Sequence, residues 1–155
     1  MKGYKKIINL IGIVFFILIG LFGFVYSTYQ IYMGVSSHSW PATKGLIVSS
    51  EVIKTSSKRR TSYEPEIKYT YKVHDKEYTG DIYIFGYNSA RLDEAEKVVA
   101  KYPENKEVRV YYKKTQPSIA VLKTGVPKTI FALFAIMLII ISIGSYKLRK
   151  YIKGM

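Results

Sequence analysis

Two long apolar runs bracket the sequence, and a polar, tyrosine-rich segment lies between them. Residues 7–33 and residues 129–146 contain no Asp, Glu, Lys or Arg. As a helix, the apolar core at residues 7–25 would be about 28 Å long, which matches the hydrocarbon core of a bilayer. The pattern predicts two membrane-spanning helices that flank one extramembrane domain.

The two runs divide the chain into five predicted parts. They are a basic cytoplasmic tail at 1–6, a transmembrane helix at 7–33, an extracytoplasmic β-rich domain at 34–125, a second transmembrane helix at 126–146 and a basic cytoplasmic tail at 147–155. A cleavable signal peptide is the alternative for the first run, but the apolar region of such a peptide usually has about 7–15 residues. We therefore expect a retained anchor.

Alternation of apolar and polar residues dominates the first half of the polar segment. A strand is expected at residues 45–55 and an exposed loop at 56–62. Alternation with a period of two follows at residues 67–73, and after a turn at His74-Asp75-Lys76 the chain is expected to return as a strand at 78–85. This pattern predicts an antiparallel hairpin with one buried face.

The period changes after this hairpin. Asn88 or Ser89 is a candidate N-cap for a helix that Pro103 ends. Alternation resumes at residues 108–112, and a short last strand is expected at 119–122. The predicted fold class is therefore α+β: two transmembrane helices flanking a small β-rich domain, sandwich or partly open barrel-like, with one inserted helix.

The positive charge is concentrated at the membrane ends. The net charge is +13, and the two tails carry seven basic residues and no acidic one. Positive residues beside membrane helices favour the cytoplasmic side, so both tails are expected in the cytoplasm and the domain outside. Because the domain is expected outside and contains no recognition motif, nucleic acid is not an expected partner.

Aromatic residues mark the expected membrane interfaces. Tyrosine and tryptophan favour the headgroup region because their rings have an apolar body, which faces the acyl chains, and a polar group, which faces water. The predicted interface anchors are Tyr26, Tyr29, Tyr32, Trp40 and Tyr146.

Small and polar residues form a stripe along one face of the first helix, where they would permit close helix packing. The stripe consists of Asn9, Gly12, Gly20, Gly23 and Ser27. The second helix offers Ala132, Ala135, Ser142 and Ser145 on a comparable face. The stripe predicts either packing of the two helices or a homo-oligomer; the alternative is that glycine is simply common in membrane helices.

The basic loop Lys58-Arg59-Arg60 is the candidate surface for a partner. On the outer side of the membrane it suits anionic lipid headgroups, wall polymers or an acidic protein. The alternative is a solvated hairpin tip.

The sequence contains no recognisable catalytic or metal-binding cluster. It has no cysteine, which excludes disulfide and thiolate chemistry. The two histidines, His38 and His74, do not have the spacing of zinc ligands. We expect no enzymatic activity, no cofactor and no metal; an enzyme or ligand sensor with a dispersed site is the alternative.

The order of several short motifs in the polar segment resembles one known family. These motifs are Trp40-Pro41-Ala42-Thr43-Lys44-Gly45, Pro65-x-Ile67-x-Tyr69-x-Tyr71-x-Val73, Tyr78-Thr79-Gly80, Tyr102-Pro103, Val108-x-Val110-Tyr111-Tyr112 and Gln116-Pro117-Ser118-x-Ala120-Val121-Leu122. The series is similar to the bacterial membrane proteins grouped as domain of unknown function 3592. His74-Asp75 and Lys113-Lys114 depart from the turns typical of that family. The resemblance implies a membrane-anchored β-rich domain and brings no established activity.

The expected function follows from this architecture. We expect a non-enzymatic protein of the bacterial inner or plasma membrane whose outer domain binds a protein or envelope partner. The alternative is an immunity or accessory protein against a membrane-acting toxin. The expected partners are the lipid bilayer, another membrane or envelope protein and, through the transmembrane helices, a second copy of the chain.

Overall fold

The computed structural model describes residues 2–57, 60–87 and 91–153. The chain forms two compact units, one from residues 1–30 with 128–155 and one from Ile31–Pro127. Predicted residues Lys58, Arg59, Asn88 and Ser89 lie outside the described residues.

The first unit contains helix α3, Lys128–Lys153, and all of helix α1, Lys2–Ser36, except its last six residues, which belong to the second unit. Both helices are longer than the predicted spans and include most of the basic tails. Both are long and apolar enough to cross a membrane. Only 6% and 11% of their most apolar windows are buried, which is low for core helices of a soluble protein. An apolar surface of this extent suits lipid better than water.

Glycines bring the two helices together in this unit. A Cβ added to Gly20 would lie 2.9 Å from Ile141 Cγ1, and one added to Gly144 would lie 2.5 Å from Ile17 Cγ1. The rings of Phe24 and Phe134 also meet, with centroids 5.1 Å apart. Small residues therefore permit the close approach that larger side chains would prevent.

The second unit is built on one antiparallel five-stranded sheet in the order β3-β2-β1-β4-β5. The strands are β1 Ala42–Ser57, β2 Arg60–Val73, β3 Lys76–Gly80, β4 Glu107–Lys113 and β5 Gln116–Val121. A short 3₁₀ helix, Ser37–Ser39, precedes β1, and helix α2, Leu92–Lys101, separates β3 from β4. The predicted α+β class, with one inserted helix, is confirmed.

The period of two in β2 determines the core. Ile67, Tyr69, Tyr71 and Val73 are all buried, while Lys68 and Lys72 are exposed. Since alternate strand residues point to opposite faces, one face of β2 packs into the core and the other is exposed to solvent. The predicted turn at His74-Asp75 is also confirmed, with φ of 48° and 63° at these two residues.

The sheet curls until its two edges meet. Beyond β3 and β5, Leu122 N–H donates to the Ile82 carbonyl at 3.3 Å, and Lys123 N–H donates to the Tyr83 carbonyl at 2.9 Å. These bonds join the continuations of the two edge strands, so the sheet resembles a barrel that two backbone bonds close. Edge-to-edge contact also protects strand edges that would otherwise be exposed.

Three local predictions were wrong. The expected loop at 56–62 is mostly strand, because β1 continues to Ser57 and β2 begins at Arg60. The expected strand at 78–85 ends at Gly80, because the following residues turn to bond the end of β5. Helix α2 has Arg91 as its N-cap, without a side-chain capping bond.

The beginning and the end of the second unit are tied together. Gly125 N–H donates to the Gly34 carbonyl at 3.1 Å and to Ser37 Oγ at 3.0 Å. A Cβ on Gly34 would collide with the Val126 side chain and lie 2.6 Å from Gly125 O. Only glycine permits this approach, and Gly125 itself has φ of 92°.

Candidate interaction surface

The β1–β2 hairpin extends well beyond the sheet. β1 pairs with β4 only from Ala42 to Leu46, and β2 pairs with β3 only from Tyr69 to Val73. Past this region the two strands pair with each other alone, through residues 49–57 of β1 and 60–68 of β2. We call these residues the hairpin arm.

A bulge marks the base of the arm. Ile47 pairs with Tyr69 and Ser49 pairs with Lys68, so Val48 has no opposite residue. A bulge of this kind bends the strand and increases its local twist. At this position the outer edge of β1 also bonds the turn before β4. Ile47 N–H donates to the Lys106 carbonyl, and Asn105 N–H donates to the Ile47 carbonyl.

The arm presents a backbone edge. Among the described residues, no strand pairs with residues 49–57 of β1 on the side opposite β2. These nine residues form an edge about 30 Å long, since a strand rises about 3.3 Å per residue. An isolated two-stranded ribbon is marginally stable, whereas a third strand supplies a further row of hydrogen bonds. The arm is therefore suited to accept a strand from a partner.

One face of the arm is polar with an apolar residue in its middle. Ile53, 38% exposed, lies opposite Glu64, and Glu51 lies opposite Glu66. Glu66 forms an exposed ion pair with Lys68 at 3.5 Å. An exposed pair of this kind contributes little stability because water screens it. Ile53 is thus the residue of this face that gains most from being covered.

Of the basic loop predicted as a contact surface, the structure describes the backbone of Arg60 alone. Arg60 begins β2 and pairs with Ser57, while Lys58 and Arg59 lie outside the described residues. The arm edge was not predicted from the sequence, because serine favours turns and loops and conceals the strand preference of the neighbouring threonine residues.

The predicted packing stripe is divided in the structure. Gly20 and Ser27 are buried and Gly23 is half-buried, whereas Asn9 and Gly12 are exposed. Ser27 donates its hydroxyl to the Gly23 carbonyl at 2.8 Å. Of the four small residues suggested for the second helix, three are exposed and Ser145 is half-buried. The exposed residues are Ala132, Ala135 and Ser142. Gly144, which was not suggested, packs closely against Ile17 of α1.

Four of the five predicted interface anchors are exposed tyrosines. They are Tyr26, Tyr29, Tyr32 and Tyr146. Trp40 is half-buried instead and packs edge-to-face on Phe85, with ring centroids 5.7 Å apart. Its contact belongs to a small apolar cluster of the second unit that also contains Met33 and Val121.

The buried tyrosines act as hydrogen-bond donors. Burial raises the pKa of Tyr71 to about 12, with a smaller effect from Tyr78, and its hydroxyl donates to the Pro117 carbonyl at 2.6 Å. Burial is also the main cause of the raised pKa of Tyr69 and of Tyr102. Neighbouring tyrosines raise both pKa values further, by a smaller amount. A phenol with a raised pKa stays neutral near pH 7, so these groups suit structure better than base catalysis.

The histidines are separate from one another and exposed. His38 follows α1, and His74 lies in the turn between β2 and β3. Within residues 2–57, 60–87 and 91–153, no group of three or more His, Cys, Asp or Glu side chains is placed to hold a metal ion.

Comparison with known families decides the classification. Residues 43–127, more than half of the chain, match the family described as Domain of unknown function (DUF3592). The chain belongs to this family. The match covers β2 to β5, α2 and all of β1 except Ala42, and the DUF3592 description assigns no activity. No curated protein and no solved structure matches the chain.

Proposed function

We propose that this chain is a non-enzymatic, membrane-anchored protein whose domain lies outside the cytoplasm and binds a protein partner. In this proposal the partner adds a strand to the β1 edge of the hairpin arm. The basic tails support the orientation, because lysine and arginine next to membrane helices favour the cytoplasmic side.

One observation carries the proposal. β1 continues from Ser49 to Ser57 beyond its last pairing with β4, and its outer edge has no strand partner among the described residues. Strand addition at such an edge is a common mode of peptide recognition, in which backbone bonds provide affinity and side chains provide specificity. Exposed Ile53 would supply the apolar contact.

The experiment uses a photoreactive amino acid at Thr55 of the full chain in native membranes. We expect irradiation to give a protein adduct, and Ile53→Lys to reduce its yield about tenfold by placing a charge in the contact. This variant keeps the arm, because the new lysine lies opposite Glu64.

Leu46→Lys is the matched control. Leu46 is 41% exposed and lies opposite Glu107, so the substitution adds the same charge beside a glutamate but outside the arm. It should leave the adduct unchanged. Absence of an adduct at Thr55, an adduct with polymer instead of protein, or equal loss in both lysine variants would contradict the proposal.

A further inference from the structure

A groove of about 660 Å³ opens between α1 and α3 on the side of the chain's two tails. Its wall is apolar, from Ile8, Ile13 and Phe16, and its tail end is polar, with Asn9, Lys147 and Lys150. The groove therefore combines an apolar surface with a positively charged end, as an amphipathic ligand requires.

Helix contacts bound the groove at both ends. At one end Gly144 packs against Ile17, and at the other the Tyr151 hydroxyl donates to the Lys6 carbonyl at 3.1 Å. Between these contacts the groove is open at Gly12, where an added Cβ would meet nothing within 4 Å.

We propose that this groove binds one anionic phospholipid from the leaflet next to the tails. The acyl chain lies along the apolar wall, and the phosphate lies at Lys147 and Lys150. The two lysines are three residues apart, so they project from one side of α3. Basic pockets of this kind between membrane helices suit anionic headgroups.

The charge composition favours an external anion. Residues 1–30 and 128–155, which form this unit, contain no Asp or Glu. Lys147 and Lys150 therefore have no acidic side chain as a partner within their own unit, which favours an anion from outside it. Asn9 adds a second requirement, because an amide at membrane depth needs a polar partner. A lipid phosphate or ester oxygen accepts that hydrogen bond.

A second copy of the chain fits the groove less well. Two copies joined at Gly12 would bring their basic tails together without acidic residues to offset the repulsion. A lipid removes this repulsion and fills the groove, which in a bilayer is open to acyl chains.

The test is native mass spectrometry of the full chain in micelles, titrated with phosphatidylglycerol or with phosphatidylcholine of the same acyl chains. We expect one phosphatidylglycerol to bind more tightly than phosphatidylcholine. Lys147→Gln with Lys150→Gln should weaken phosphatidylglycerol binding about tenfold or more. Arg149→Gln with Lys153→Gln removes the same charge from α3 outside the groove and should have little effect.

Gly12→Leu tests the apolar part, because leucine occupies the open space without changing the charge. It should lower phosphatidylglycerol binding severalfold, whereas Val14→Leu, at an exposed position outside the groove, should not. Equal loss in both basic pairs would show only diffuse attraction and overturn the proposal. Unchanged binding in Gly12→Leu, or a dimer that excludes lipid, would overturn it as well.

Discussion

The Tyr69 hydroxyl lies 2.9 Å from the Ala120 carbonyl oxygen, across the inside of the curled sheet. The same hydroxyl lies 3.1 Å from the Ile82 carbonyl oxygen, which follows β3. One side chain on β2 thus reaches backbone groups at both edges of the sheet. Gly80 makes room for its ring, because a Cβ there would lie 2.5 Å from the tyrosine. The curvature of the sheet therefore depends on a buried polar contact as well as on apolar packing.

Tyr69→Phe should destabilise the domain by about 1 kcal/mol, because it removes the hydroxyl that donates to the Ala120 carbonyl, whereas the Ile82 carbonyl keeps the Leu122 N–H as a donor. The measurement is thermal unfolding of the full chain in micelles, followed by near-UV circular dichroism. Tyr112→Phe is the control: Tyr112 is half-buried, and its hydroxyl makes no hydrogen bond with the described residues. Equal stability of Tyr69→Phe and the original chain would show that the hydroxyl bond is not needed.

Alkaline pH should unfold the domain through its tyrosines. The pKa of Tyr71 is raised to about 12 in the folded chain, while an unfolded tyrosine has a pKa of about 10. The folded state thus holds the proton more tightly, so stability is complete below pH 10 and falls as pH rises from 10 toward 12. The raised pKa of Tyr69 continues this loss at higher pH.

The measurement is the free energy of unfolding between pH 8 and pH 12, compared with tyrosinate absorbance. Tyr71→Phe should show a weaker dependence on pH in the upper part of this range, because one linked proton is removed. A free energy of unfolding that stays constant from pH 10 to pH 12 would contradict the assignment.

The most regular elements could be predicted from the sequence. The alternation from Ile67 to Val73 identified β2 and its buried face, and the long uncharged runs identified α1 and α3. Local pattern was sufficient here because burial on one face imposes a strict period.

The remaining features depend on contacts distant in the chain. The end of β3 is set by bonds between residues 82–83 and residues 122–123, which no local pattern encodes. The arm was missed because Ser56, Thr61 and their neighbours are polar enough for a loop, yet they pair across two strands. The groove between α1 and α3 was missed because Gly12 and Gly20 belong to the same stripe of small residues in the sequence, yet only Gly20 packs closely against α3.

Asp75→Gly should stabilise the domain. Both central residues of the β2–β3 turn have positive φ, and this hairpin turn prefers glycine at its second position because a Cβ is disfavoured there. We expect a gain of about 1 kcal/mol in the free energy of unfolding, measured by thermal denaturation in micelles. Lys114→Gly, in the turn between β4 and β5 where no positive φ is found, should not stabilise. A loss of stability in Asp75→Gly would contradict the backbone conformation.

Gly34→Ala and Gly12→Ala should differ although both lie in α1. The methyl group at Gly34 would collide with Val126 and with the Gly125 backbone, so we expect a loss of roughly 1–3 kcal/mol in domain stability. At Gly12 the space is open, and alanine favours the helix. The measurement is hydrogen exchange of the amides near Gly125. Similar exchange in both variants would show that the tie between Gly34 and Gly125 does not hold the domain.

Cysteine labelling should place the domain outside the cytoplasm. Thr55→Cys and Thr115→Cys put single thiols at exposed positions of the domain, and Lys153→Cys puts one near the end of α3. The chain has no native cysteine, so it contributes no background. Because the basic tails favour the cytoplasm, a membrane-impermeant thiol reagent should label the first two variants in intact cells and Lys153→Cys only after permeabilisation. The opposite pattern would put the domain in the cytoplasm and direct the search for a partner of the hairpin arm to cytosolic proteins.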